Sequence, residues 1–198
     1  MRWMIGVVLG VSLGLAGCGV ASAAGHDVGK RPPGKFDYYV LALSWAQGYC
    51  DVTPHPDPAE CGTIPGFVPH GLWPQLNGGN WPSNCSHQAL PAAERQRSQG
   101  IYASPGLITH EWSKHGTCSG LKPAAYFDLT RADVARVQIP ADYRTGRKLG
   151  AGEADALDQA LVAANPGLTA GDLKPVTANG EITEVDICLT KAGAFRSC

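Results

Sequence analysis

"LKPVTANGEITEVDICL", residues 173–189, holds two short runs rich in β-branched residues on either side of Asn179-Gly180. Both central positions of a tight hairpin turn need positive φ, and Asn-Gly tolerates that, so the stretch predicts two antiparallel strands. Working outward, "FDYYVLALSW" (36–45) is aromatic at its start and apolar throughout. It predicts a strand buried on both faces. "FVPHGLWP" (67–74) predicts a shorter strand that stops at Pro74. Residues 50–66 carry four prolines, two glycines and two cysteines and read as a loop, which a Cys50–Cys61 bridge would staple. Residues 75–92 read as a second loop. Helical patterns fill the space between: Pro91–Arg97, Pro105 to about Thr117 with Ser104 as N-cap, Pro123–Val137 and Gly152–Ala164. Helices lying between strands at the two ends of the chain predict an α+β fold, a central mostly antiparallel sheet flanked by helices and stapled by disulfides.

Residues 1–24 have one charge, Arg2, and an apolar run from Trp3 to Leu15. That run is short for a membrane span and suits an export leader. Two processing routes fit: cleavage after Ala21-Ser22-Ala23, or lipidation of Cys18 in Leu15-Ala16-Gly17-Cys18. Either way the chain is exported, to the periplasm or beyond, with membrane attachment only through a lipid on Cys18. Residues 25–198 are the right size for one domain, opening on an exposed polar arm from Gly25 to Lys35. Seven cysteines less Cys18 leave six: Cys50, Cys61, Cys85, Cys118, Cys188 and Cys198. An even set in an exported chain predicts three disulfides. The formal net charge is −1, which speaks against holding polyanions by bulk electrostatics but not against gripping one phosphate locally.

The chemistry concentrates in "THEWSKHGTC" (109–118). Metal binding is a poor fit. A zinc-protease helix spaces its histidines four apart, whereas His110 and His115 are five apart, about 140° around a helix. A nucleophilic Cys118 is also a poor fit, because export oxidises it. Acid–base chemistry suits the segment better. On a helix His110, Glu111, Lys114 and His115 share one arc, with Glu111–His115 and His110–Lys114 as i, i+4 neighbours and Trp112 facing the core. The plain alternative is a solvated helix face. A second segment shifts the balance: His70 sits in "PHGLWPQ" (69–75), with Trp73 and Trp81 nearby. Flat aromatics beside imidazoles and an ammonium suit a nucleobase and its phosphate.

Together, "HGLWPQ" (70–75) and "HEWSKHGTC" (110–118) resemble the two active-site segments of the ribonuclease T2 family. "YYVLALSWAQGYC" (38–50) is similar to that family's first core strand, and "EVDICL" with Cys198 to its closing strand and disulfide. The resemblance implies an endoribonuclease that acts on single-stranded RNA, not DNA, without a cofactor or metal, as a monomer with no stable protein partner. It implies a 2′,3′-cyclic phosphate that is then opened to a 3′-phosphate. Carried across, it makes His115 the general base and His70 the general acid. His110 becomes a phosphate ligand, Glu111 and Lys114 assist at phosphorus, and Trp73, Gln75 and Trp81 hold the base. It also implies bridges Cys85–Cys118 and Cys188–Cys198, leaving Cys50–Cys61. Two histidines acting as acid and base imply a bell-shaped pH profile on the acid side of neutral. Gln75, and Leu107-Ile108 in place of aromatics, are departures that bear on base preference.

Overall fold

Prolines decide which strands stand at the rims of the sheet. The computed structural model describes residues 25–62 and 66–198, so the leader and Cys18 lie outside the described residues. Strand β1 runs Tyr38–Trp45, β2 Phe67–Gln75, β3 Leu173–Ala178 and β4 Glu181–Leu189. They form one sheet in the order β2-β1-β4-β3, with antiparallel pairing throughout. A proline cannot donate to the ladder and is confined to edges and bulges. Pro69 and Pro74 put β2 at one rim, and Pro175 puts β3 at the other. Proline-free β1 takes the centre and is buried at every position. The hairpin turn has Asn179 at φ 51° and Gly180 at φ 81°, as its residues require.

Alternation along β1 splits the molecule into two layers. Tyr39, Leu41, Leu43 and Trp45 join Leu72, Ile182, Val185 and Ile187 in the main core. Three helices cover that face: α4 (Pro105–Lys114), α5 (Pro123–Arg136) and α6 (Ala154–Ala164) supply Trp112, Phe127 and Leu161 to it. Tyr38, Val40, Ala42 and Cys188 point the other way and pack with Trp73 in a much smaller cluster. That thinly covered face carries the site.

The segment expected to be a plain loop is partly helical. The end of α1 (Ala46–Val52) runs into it and it contains α2 (Pro58–Cys61), while α3 follows at Ala92–Arg97, where a helix is expected. A proline starts a helix as readily as it ends one: Pro58 takes the first position of α2, and the Asp57 carboxylate accepts the Ala59 N–H at 2.9 Å. The bridges are Cys50–Cys61, Cys85–Cys118 and Cys188–Cys198, the set the resemblance implies. The N-terminal arm is largely exposed but docked: Val28 N–H donates to the Trp81 carbonyl, and Trp81 N–H to that of His26. Among the described residues, no helix is long and apolar enough to cross a membrane.

Candidate active site

His70 owes its orientation to an irregularity in β2. Ala42 of β1 faces Gly71, and the next residue, Leu43, faces Pro69. His70 is therefore the extra residue of a β-bulge, a device that re-aims a side chain out of the regular ladder. Its Nδ1 lies 2.6 Å from Oε2 of Glu184, which comes from β4, on the far side of β1.

The other groups come from α4 and the turn after it. The helix starts as expected: Pro105 is its first residue, and the Ser104 hydroxyl accepts the Gly106 N–H at 3.3 Å. It ends earlier than expected, at Lys114. His115 has φ −113°, donates its own N–H to the Glu111 carbonyl, and leads into a tight turn at Gly116–Cys118. The four polar residues therefore differ in depth. Glu111 and His115 are buried, Lys114 half-buried and His110 exposed. The i, i+4 side-chain pairs do not form. Instead the Trp73 indole donates to Glu111 Oε2 at 2.8 Å, while Glu111 Oε1 and His115 Nδ1 are buried without partners. Trp112 turns to the core as expected and donates to the Gln88 carbonyl. Gly71 makes the Trp73–Glu111 contact possible, because a Cβ there would overlap both Glu111 Oε2 and Trp73 Nε1.

Two distant segments are thereby joined. Trp73 stacks on His115 at 5.1 Å between ring centroids and meets His70 edge-on at 4.9 Å. Beyond β2, Asn84 N–H donates to the Lys114 carbonyl and Cys85 N–H to the Thr117 hydroxyl, beside the Cys85–Cys118 bridge. All the residues singled out from the sequence line one cavity of about 360 Å³: His70, His110, Glu111, Lys114 and His115, with Trp73, Gln75 and Trp81. Its wall also holds Tyr38, Lys174 and Asp186, which sequence reasoning missed, as it missed Glu184 behind His70. Period-two alternation along "EVDICL" places Glu184 and Asp186 opposite Val185 and Ile187, but only strand register shows what they face. Leu107 and Ile108 belong to the core instead. Among the described residues, no group of three His, Cys, Asp or Glu side chains is arranged to hold a metal ion.

The two imidazoles are driven in opposite directions. Burial favours neutral His70, but the hydrogen bond and charge of Glu184, with smaller contributions from Glu111 and Glu60, outweigh it and raise its pKa above the ordinary value. His115 is held well below that value, first by burial and then by Lys114, His110 and His70. His110 is lowered for the same kinds of reason, burial before Lys114 and His70. Burial lifts the Glu111 carboxyl to about 7, against the pull of His70, the Trp73 N–H and Lys114.

The profile of the Ribonuclease T2 family matches residues 36–141, more than half of the chain and both active-site segments.

The chain belongs to the ribonuclease T2 family.

A ribonuclease of Aeromonas hydrophila is 38% identical over 170 residues, 83% of this chain and 76% of that one. Intracellular ribonuclease LX of Solanum lycopersicum is 34% identical over 113 residues, 46% of this chain and 45% of its own. Among solved structures, an RNase-related protein from Calystegia sepium superposes with a TM-score of 0.64 at 21% identity, covering 82% of this chain and 90% of its own. The ribonuclease MC1 of bitter gourd seeds gives 0.61 at 24%, covering 82% and 94%. At these identities the two superpositions establish the shared T2 fold.

Proposed function

We propose that this T2-family endoribonuclease cuts single-stranded RNA without a metal ion, by attack of a ribose 2′-hydroxyl on the adjacent phosphorus. The 5′-oxygen leaves, a 2′,3′-cyclic phosphate forms, and water then opens it to a 3′-phosphate. His115 takes the 2′-hydroxyl proton, and His70 gives a proton to the leaving oxygen. His110 and Lys114 stabilise the charge that grows on the non-bridging oxygens, and Glu111 assists at the crowded phosphorus. Trp73, Gln75 and Trp81 hold the base. The protein acts after export, with its leader cleaved or its Cys18 lipidated.

One observation carries this reading. Two imidazoles from segments about forty residues apart in the chain touch the same indole in one cavity, and their surroundings bias them oppositely. In-line displacement needs one neutral and one charged imidazole at the same pH, and the substrate supplies its own nucleophile. RNA carries the 2′-hydroxyl and DNA does not, so only RNA is cut. Digestion of polymeric RNA in EDTA, with end-group analysis, tests it. The expected products carry cyclic phosphate and then 3′-phosphate ends. Intact RNA, or activity abolished by EDTA, overturns the reading.

A further inference from the structure

The general acid of the proposed reaction has a partner that the two active-site segments do not contain. Glu184 stands on β4, and His70 bulges from β2 on the other side of β1. In the register Ser44 faces Glu184 and Ala42 faces both Gly71 and Asp186. The β1 residues between His70 and Glu184 on that face, Ala42 and Ser44, are both small. The two side chains meet at 2.6 Å, Nδ1 to Oε2, with the His70 side chain 35% exposed and that of Glu184 14% exposed. This length suits a charge-assisted bond. With Nδ1 engaged, Nε2 is the nitrogen left to serve a leaving group.

We propose that Glu184 is the positioning residue of the general acid, orienting the His70 ring and keeping it protonated for transfer to the 5′-oxygen. The inference rests on the ribonuclease reading and deepens it. It is the logic by which a buried carboxylate orients a catalytic imidazole in other hydrolases, here serving the acid and not the base. The arrangement is asymmetric. His115, the base, has no carboxylate on its Nδ1, which is buried and unpartnered, and an ionic partner there would work against neutrality.

The other charged groups around His70 fit this division. From α2 comes Glu60, buried, with Oε1 unpartnered. From β4 comes Asp186, on the same face as Glu184. Asp186 is raised above the usual carboxylate range by burial and then by Glu184, with Lys174 of β3 pulling the other way. Its environment therefore favours the neutral form. From α4 and the following turn come Glu111, His110, Lys114 and His115. Of all these, only Glu184 is hydrogen-bonded to the His70 ring.

The experiment pairs a direct titration with a rate profile. The His70 imidazole is followed by NMR in the unsubstituted protein and in Glu184→Gln and Glu184→Asp, and RNA cleavage is measured over the same pH range. In the unsubstituted protein His70 titrates above the ordinary imidazole value of about 6.5. In E184Q that titration and the alkaline limb of kcat/KM move together to lower pH by about one unit or more, an about tenfold loss of rate above neutrality. KM at pH 5 stays near the original, and E184D retains most of the raised limb. A coincident alkaline limb in E184Q overturns the proposal, as does His70 titrating at or below about 6.5 in the unsubstituted protein. If the unsubstituted protein does not cleave RNA, the ribonuclease reading fails, while the NMR titration still decides the Glu184–His70 coupling.

Discussion

Replacing Gly71 by Ala tests the packing that joins the two active-site segments. A Cβ at this position would lie on top of Glu111 Oε2 and Trp73 Nε1 and 2.8 Å from Glu111 Cδ. Neither neighbour has slack. Glu111 is fully buried, and Trp73 is stacked on His115. The methyl group must push the indole and the carboxylate apart and break their 2.8 Å hydrogen bond. Losing such a bond to an ionisable buried group costs about 1.5–3 kcal/mol, and forcing an extra carbon into a packed site about 1–3 kcal/mol. The expected loss is about 2.5–6 kcal/mol, which lowers the melting temperature of a chain this size by roughly 5–24 °C. Turnover on RNA falls too, by about 10²-fold, because both imidazoles rest on the displaced indole. Thermal denaturation of G71A, E111A and G71A/E111A isolates the cause. With the carboxylate gone the methyl group has room, so the cost of G71A shrinks by about 1 kcal/mol or more in the E111A background. An unshifted melting curve for G71A, or strict additivity with E111A, refutes the reasoning.

Three further outcomes are expected. His70→Ala and His115→Ala each lower kcat by about 10²- to 10⁴-fold while RNA binding, measured by fluorescence anisotropy, survives; near-original rates in either variant contradict the assignment. The kcat/KM profile is a bell broader than two ordinary histidines produce, extending past the acid side of neutral that residue type alone implies. His115, held low, must protonate before the acid limb falls, and His70, held high, must lose its proton before the alkaline limb falls, so a narrow optimum confined to acid pH contradicts the opposed environments. Asp133 of α5 has a fully buried carboxyl with neither oxygen hydrogen-bonded and an ion pair to Arg136 at 3.5 Å, and burial, against the pull of Arg136, raises it to about 6. A carboxyl raised on folding binds more protons in the native state, so its contribution declines as pH rises from about 4 to about 6. Asp133→Asn should therefore match the original protein in thermal melts at pH 4 and exceed it by about 1–3 kcal/mol at pH 7; equal stability at pH 7 refutes this.

Much of the molecule was legible from local signals. The Asn179-Gly180 turn, the Ser104-Pro105 helix start and the apolar run of β1 are short-range steric and hydrogen-bonding facts, and each element formed where those facts put it. Errors fell where two local signals competed. The prolines at 54–65 punctuate a loop by composition, yet Pro58 behind Asp57 is also a helix start. The apolar pattern of the catalytic helix runs on to about Thr117, but Gly116 behind Lys114 and His115 is a helix-stop signal, and the helix ends at Lys114.

Residue type and order determined that three imidazoles, a carboxyl, an ammonium and aromatic faces would be available, since chemistry is carried by side chains and the motifs are contiguous. Tertiary structure alone decided how they are used. The bulge at His70, the reach of Glu184 across β1, the wedge of Trp73 between the two rings and the unequal burial of Glu111, His115, Lys114 and His110 all depend on strand register and on how α4 docks against the rim of β2. Those are set by long-range packing. Proton affinities follow from burial and neighbouring charge, so the opposite bias on His70 and His115 became readable only once the chain had folded.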